Sequence, residues 1–77
     1  PLRLFPNPAS NYVQVLTRDG WNEPVHVCIF DGLGRLLRDY GFTLANTLDL
    51  TGLANGLLIV KVESSGYAAG FRLIKND

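Results

Sequence analysis

Seventy-seven residues, 47% of them hydrophobic and 18% charged, suffice for one globular domain and are too few for two. Seven basic side chains balance seven acidic ones, and Arg3, Arg18, Arg35, Arg38, Lys61, Arg72 and Lys75 are dispersed, which argues against a nucleic-acid or anionic-membrane partner, since such partners are held by clustered cations. The longest apolar stretch, 57–60, is far short of the roughly 20 residues of a membrane helix, so no direct membrane insertion is expected, and a domain that buries only about 60% of its unfolded surface has little volume for a deep catalytic cleft.

Pro, Gly, Asn and Asp punctuate the chain at short intervals, and the runs between them are rich in Val, Ile, Leu, Phe and Tyr, which is the pattern of an all-β domain. The first run, 2–5, is closed by Pro6-Asn7-Pro8; the two prolines fix φ and remove two donors, so no ladder continues through them. In 12–17, Val13 and Val15 share one face and Tyr12, Gln14 and Leu16 the other, the period of two of a half-buried strand. Arg18-Asp19-Gly20 supplies turn chemistry.

The run 25–30 places Val25, Val27 and Ile29 on a core face and His26, Cys28 and Phe30 opposite. Asp31-Gly32-Leu33-Gly34 then turns the chain, its glycines free to adopt positive φ. A short strand is expected over 35–40, a flexible connection over 41–46, and another strand over 47–50 with Leu48 and Leu50 inward. In the loop 51–56, Leu53 is expected to plug the end of the core, and Asn55-Gly56 suits a tight turn. The run 57–63 is apolar on both faces, which predicts a central strand, with Lys61 and Glu63 opposing aggregation. Ser64-Ser65-Gly66 leads into a last strand over 68–75. About seven short antiparallel strands with these intervals predict a small immunoglobulin-like β-sandwich.

This punctuation resembles the C-terminal sorting domains of the type IX (Por) secretion system. The opening motif is similar to Phe5-Pro6-Asn7-Pro8-Ala9-Ser10-Asn11, and the middle motif to Phe30-Asp31-Gly32-Leu33-Gly34-Arg35-Leu36. The later motif is similar to Asp49-Leu50-Thr51-Gly52-Leu53-Ala54-Asn55-Gly56, and the terminal strand to Phe71-Arg72-Leu73-Ile74-Lys75. One departure is Leu58, where the family usually has an aromatic residue two positions beyond the motif glycine. The resemblance implies a non-catalytic C-terminal signal, spanning 1–77 at the end of a larger secreted protein. It implies as partners the outer-membrane translocation machinery and a surface sortase-like peptidase, which removes the domain and attaches the cargo. The protein would pass the periplasm in transit and reach the cell surface or the exterior. The motif residues expected to carry recognition are Pro6, Asn7, Pro8, Asp31, Gly34, Arg35, Leu50, Leu53, Gly56, Phe71, Arg72, Leu73, Ile74 and Lys75. Docking is expected to use exposed sheet edges, the last strand above all, by strand addition.

Each of these residues also has a plainer reading. The Pro-Asn-Pro run reads on physical grounds as a rigid turn that aims the first strand rather than as an epitope, although the two readings are compatible, and Arg35 as a solvated charge paired to Asp31. His26 and Cys28 share a strand face but make only two of the four ligands of a structural zinc, so no metal or cofactor is expected. Cys28 is the only cysteine; no internal disulfide can form, and since its neighbour His26 projects alongside it on a strand with no helix N-terminus to activate it, it reads as a partly buried apolar thiol rather than a nucleophile. The carboxylates fall in or beside turns, and no enzyme is expected. The alternative is a carbohydrate-binding or adhesive sandwich, for which the aromatic to test is Trp21.

Overall fold

The structure, a computed structural model, describes residues 2–17, 24–44, 46–64 and 66–76. Among these residues there are seven strands and no helix: β1 (Leu2–Phe5), β2 (Tyr12–Thr17), β3 (Val25–Asp31), β4 (Leu36–Thr43), β5 (Thr47–Asp49), β6 (Gly56–Ser64) and β7 (Tyr67–Lys75). They form a three-stranded sheet in the order β1-β2-β5 and a four-stranded sheet in the order β4-β3-β6-β7, with every named strand pair antiparallel. The expected all-β sandwich is what forms.

Alternation builds the core. Val13 and Val15 of β2, with Leu48 and Leu50, face the second sheet, which answers with Val25, Val27 and Ile29 of β3, Leu58, Val60 and Val62 of β6, and Leu73 of β7. Strand β6 lies between β3 and β7, the central position its apolar run predicts. Leu53 packs partly buried against this core, as expected of a loop leucine, and Leu58 is buried where the family pattern has an aromatic. Trp21 and the turn at 18–20 lie outside the described residues.

One segment departs from the sequence reading. The chain over 41–43 is not a flexible connection but the continuation of β4, which runs to Thr43. The misreading came from Gly41, a residue that weakens strands. Here Gly41 has φ +68°, a conformation glycine adopts without penalty, and it sits at a bulge. Val27 pairs with Gly41 and Cys28 with Asp39, so Tyr40 is an extra residue opposite a single step of β3. The bulge reverses the face that alternation would assign. Asp39 and Phe42 come out beside Cys28 and His26, while Tyr40 turns in against the core.

Candidate functional site

The antiparallel order brings the motif segments to one end of the sandwich. Strands β1, β3, β5 and β7 finish there, at Phe5, Asp31, Asp49 and Lys75, and β2, β4 and β6 begin there. The register fixes the neighbours: Tyr12 opposite Asp49, Asp31 opposite Leu58, and Gly56 opposite Lys75. Pro6, Asn7 and Pro8 join β1 to β2, Asp31 to Arg35 joins β3 to β4, and Leu50 to Gly56 joins β5 to β6. The last motif, Phe71 to Lys75, is the half of β7 that runs into this end.

The Pro-Asn-Pro turn docks on β7. Prolines cannot donate to a ladder, and the Asn7 side chain supplies what they lack. Its Nδ2 donates to the Arg72 carbonyl at 3.2 Å, and its Oδ1 accepts from the Ile74 amide at 3.0 Å. A carboxamide carries one donor and one acceptor side by side, as an extended backbone does. Ala9 continues the pairing: its amide donates to the Ile74 carbonyl at 2.7 Å, and its carbonyl accepts from the Asn76 amide at 2.7 Å. The Phe5–Pro6 and Asn7–Pro8 peptide bonds are both cis.

This pairing changes the expected use of the last strand. The edge-facing backbone groups of Arg72, Ile74 and Asn76 already bond to Asn7 and Ala9. By the alternation of an unbroken register, the stretch beyond this cover is around Ala68 and Gly70. Strand addition along 72–76 would first have to displace the turn. What 71–75 presents instead is side chains. Leu73 is buried and Phe71 partly buried against the core, whereas Arg72 and Ile74 face solvent. Lys75 is 3% exposed, and its Nζ donates to the Asn55 Oδ1 at 3.5 Å. A buried ammonium requires such acceptors.

The other two motifs are held by carboxylates that accept from nearby backbone amides. Asp31 Oδ1 takes the amides of Leu33 and Arg35, each at 2.9 Å, and Oδ2 takes the Arg35 Nε at 2.7 Å. The Arg35 amide, then its guanidinium, hold the Asp31 carboxyl below the usual range. Gly34 closes the turn with φ +87°. Asp49 Oδ1 accepts from the Thr51 amide at 2.8 Å, and its carboxyl is lowered by the Thr51 side chain, then by that amide. Two residues that the sequence reading did not place at this end complete it. Arg38 donates from Nη1 to the Asp49 carbonyl at 2.9 Å and from Nη2 to the Thr51 carbonyl at 3.0 Å, and the Tyr40 hydroxyl also donates to the Asp49 carbonyl. They tie β4, an edge of the larger sheet, to β5, an edge of the smaller one. No local pattern announces them, because their partners lie 11, 13 and 9 positions away.

A family model described as Secretion system C-terminal sorting domain matches residues 3–76. The chain belongs to the type IX secretion C-terminal sorting domains. The sorting domain is therefore a signal for export by the type IX system to the cell surface or outside, and its family is in general non-catalytic. No curated protein matches the chain.

Away from the motif end, the sorting domain carries one titratable cluster on the outer face of its larger sheet. His26 Nε2 lies 2.8 Å from Asp39 Oδ1 and 3.4 Å from Cys28 Sγ. The sequence reading saw His26 and Cys28 but not Asp39, which the bulge brings in. The cluster has the residue types of a nucleophilic triad without its geometry. A triad histidine uses one ring nitrogen for the nucleophile and the other for the acid, and here a single nitrogen faces both. Burial, and then the charge of Asp39, push the Cys28 thiol up from its ordinary value, the opposite of an activated cysteine.

Proposed function

We propose that the sorting domain is the C-terminal part, 1–77, of a larger exported protein, and that the outer-membrane translocation machinery reads the end of the sandwich where its motifs meet. In this reading the cargo crosses the periplasm first, and a surface sortase-like peptidase then removes the domain and attaches the cargo to the cell surface. Pro8, Arg35, Arg72 and Ile74, all exposed, make the contacts. Pro6, Asn7, Asp31, Gly34, Leu50, Leu53, Gly56, Phe71, Leu73 and Lys75 shape the surface that carries them. The supporting observation is the convergence itself: segments scattered from residue 6 to residue 75 form one continuous end.

A secretion assay tests the proposal. The domain is fused after a fluorescent reporter bearing an inner-membrane export signal and expressed in a type IX-competent bacterium. Arg72→Ala and Ile74→Ala, singly and together, leave the circular dichroism of the isolated domain unchanged and leave the reporter in the periplasm. Normal export of the double variant would remove this face of β7 from the recognition surface. A reporter that stays periplasmic with the native domain would remove the proposal altogether.

A further inference from the structure

We propose that His26, Cys28 and Asp39 form a binding site for one borderline divalent transition-metal ion of the zinc class, on the outer face of the four-stranded sheet. The three ligand atoms, Nε2, Sγ and a carboxylate oxygen, all lie within 4.8 Å of one another. In a tetrahedral zinc site with Zn–S about 2.3 Å and Zn–N about 2.0–2.1 Å, neighbouring ligand atoms stand about 3.3–3.6 Å apart. The Sγ to Nε2 separation of 3.4 Å already falls in that range. The Nε2 to Oδ1 separation of 2.8 Å is a hydrogen bond, and opening it by about half an ångström admits an ion between the two.

The surroundings fit a ligand set. The single nitrogen facing both Cys28 and Asp39, which rules out a triad, suits a metal centre, where each ligand offers one donor atom to a shared ion. The His26 ring stacks on Phe42 with centroids 5.2 Å apart, so its rotation is restricted before any ion arrives. Asp39 Oδ1 accepts from the Gly41 amide at 2.8 Å, and hydrogen bonds of this type orient ligating carboxylates. A thiolate and a carboxylate offset the two charges of the ion. The adjacent Lys61 and Glu63, which face each other at 3.7 Å, offset one another. Binding releases the thiol proton to solvent. His26 and Asp39 are part-exposed, which leaves solvent access and a fourth position for water. Nitrogen and sulfur donors favour zinc-class ions over magnesium and calcium, which prefer all-oxygen sites. The ion would staple β4, an edge strand, to β3 across the bulge.

Cobalt(II) is the probe, because a thiolate bound to it gives a near-ultraviolet charge-transfer absorption. Titration of the 77-residue chain is expected to saturate at one ion per chain, with zinc displacing cobalt and magnesium and calcium failing to. Cys28→Ser abolishes the charge-transfer absorption, and Asp39→Asn and His26→Gln each weaken binding at least about tenfold. At a hundredfold excess over the native Kd, zinc raises the thermal midpoint of the native chain by roughly 10 °C or more, and at the same zinc concentration a tenfold weaker Asp39→Asn shows about half that rise or less. Cys28 is buried, so its variant is compared by circular dichroism without metal; Asp39→Asn and His26→Gln alter positions outside the core and keep the test sound if Cys28→Ser misfolds. Absence of saturable cobalt absorption at millimolar metal, or binding unchanged in both Asp39→Asn and His26→Gln, overturns the proposal. None of these outcomes bears on whether the domain directs export.

Discussion

The motif end and the outer face around the bulge use polar residues in different ways. At the motif end, Asn7, Asp31, Asp49 and Arg38 bond to backbone groups of their own turn or of another element. Each such contact fixes the path of the chain. Around the bulge, His26, Cys28, Asp39, Lys61 and Glu63 interact mainly side chain to side chain. Among the described residues, only Asp39 of these five also holds a backbone amide, that of Gly41. Side chains that hold backbone are committed to the fold, whereas those that hold one another can change partners. The first region should therefore lose stability when altered, and the second should lose ligands.

The largest contrast is expected from a motif residue that is also core. Leu50 is fully buried, and Leu50→Ala should destabilise the domain by about 2–5 kcal/mol through lost burial and the cavity it leaves. That is a large part of the stability of so small a domain. Thermal unfolding followed by circular dichroism should show a loss of tens of degrees or no folded baseline, whereas His26→Gln should stay within a few degrees of the native midpoint. A comparable fall for His26→Gln would erase the distinction between the two regions.

Next in size is Asn7→Ala. It removes both carboxamide hydrogen bonds to β7, each worth about 0.5–1.5 kcal/mol net, and uncovers backbone groups at the sheet edge. Hydrogen exchange at the Ile74 amide should accelerate beyond that of amides inside β6. The exposed edge should also make sedimentation concentration-dependent, because an unprotected strand edge is a template for pairing. Unchanged protection at Ile74 would mean that Ala9 alone holds the turn on β7.

The sequence was most informative where the controlling contacts are local. Alternation identified Val25, Val27 and Ile29 as core and put Val13 and Val15 on one face, and the Asp31 and Asp49 turns were legible because each carboxylate bonds within four residues of itself. It was silent where register decides. Gly41 looked like a loop residue because nothing nearby shows that β3 will pair across it, and without the bulge Asp39 could not be assigned to the face of Cys28. Asn7 read as a turn residue, while its bonds to β7 span 65 and 67 positions. Lys75 read as a terminal basic residue, whereas it is buried and its ammonium donates to Asn55, 20 positions away.

Acid should weaken the motif end in a defined direction. Asp31 and Asp49 both have carboxyl groups lowered in the folded state, through the Arg35 amide and the Thr51 side chain respectively. A group with a depressed folded pKa contributes stability above its unfolded value, about 3.9, and loses it as pH falls through the lower folded value. The urea midpoint should therefore be level near neutrality and fall below about pH 4. Asp31→Asn and Asp49→Asn should each flatten that fall. A midpoint that instead drops between neutrality and pH 5 would point to another group.

The smallest effect on stability is expected from Arg35→Ala, and it separates folding from recognition at the motif end. The Arg35 guanidinium is 2.7 Å from Asp31, but its side chain is 76% exposed, and exposed ion pairs of this type contribute little and are screened by salt. The Arg35 amide keeps its bond to Asp31 after the side chain is removed, so the turn retains its shape. The thermal midpoint should move by no more than about 2 °C, and less in high salt. Export of a fused reporter should fall nonetheless if the exposed guanidinium is read by the translocation machinery. If export and midpoint are both unchanged, Arg35 only decorates the turn that Asp31 builds, and recognition shifts to Arg72 and Ile74 on β7.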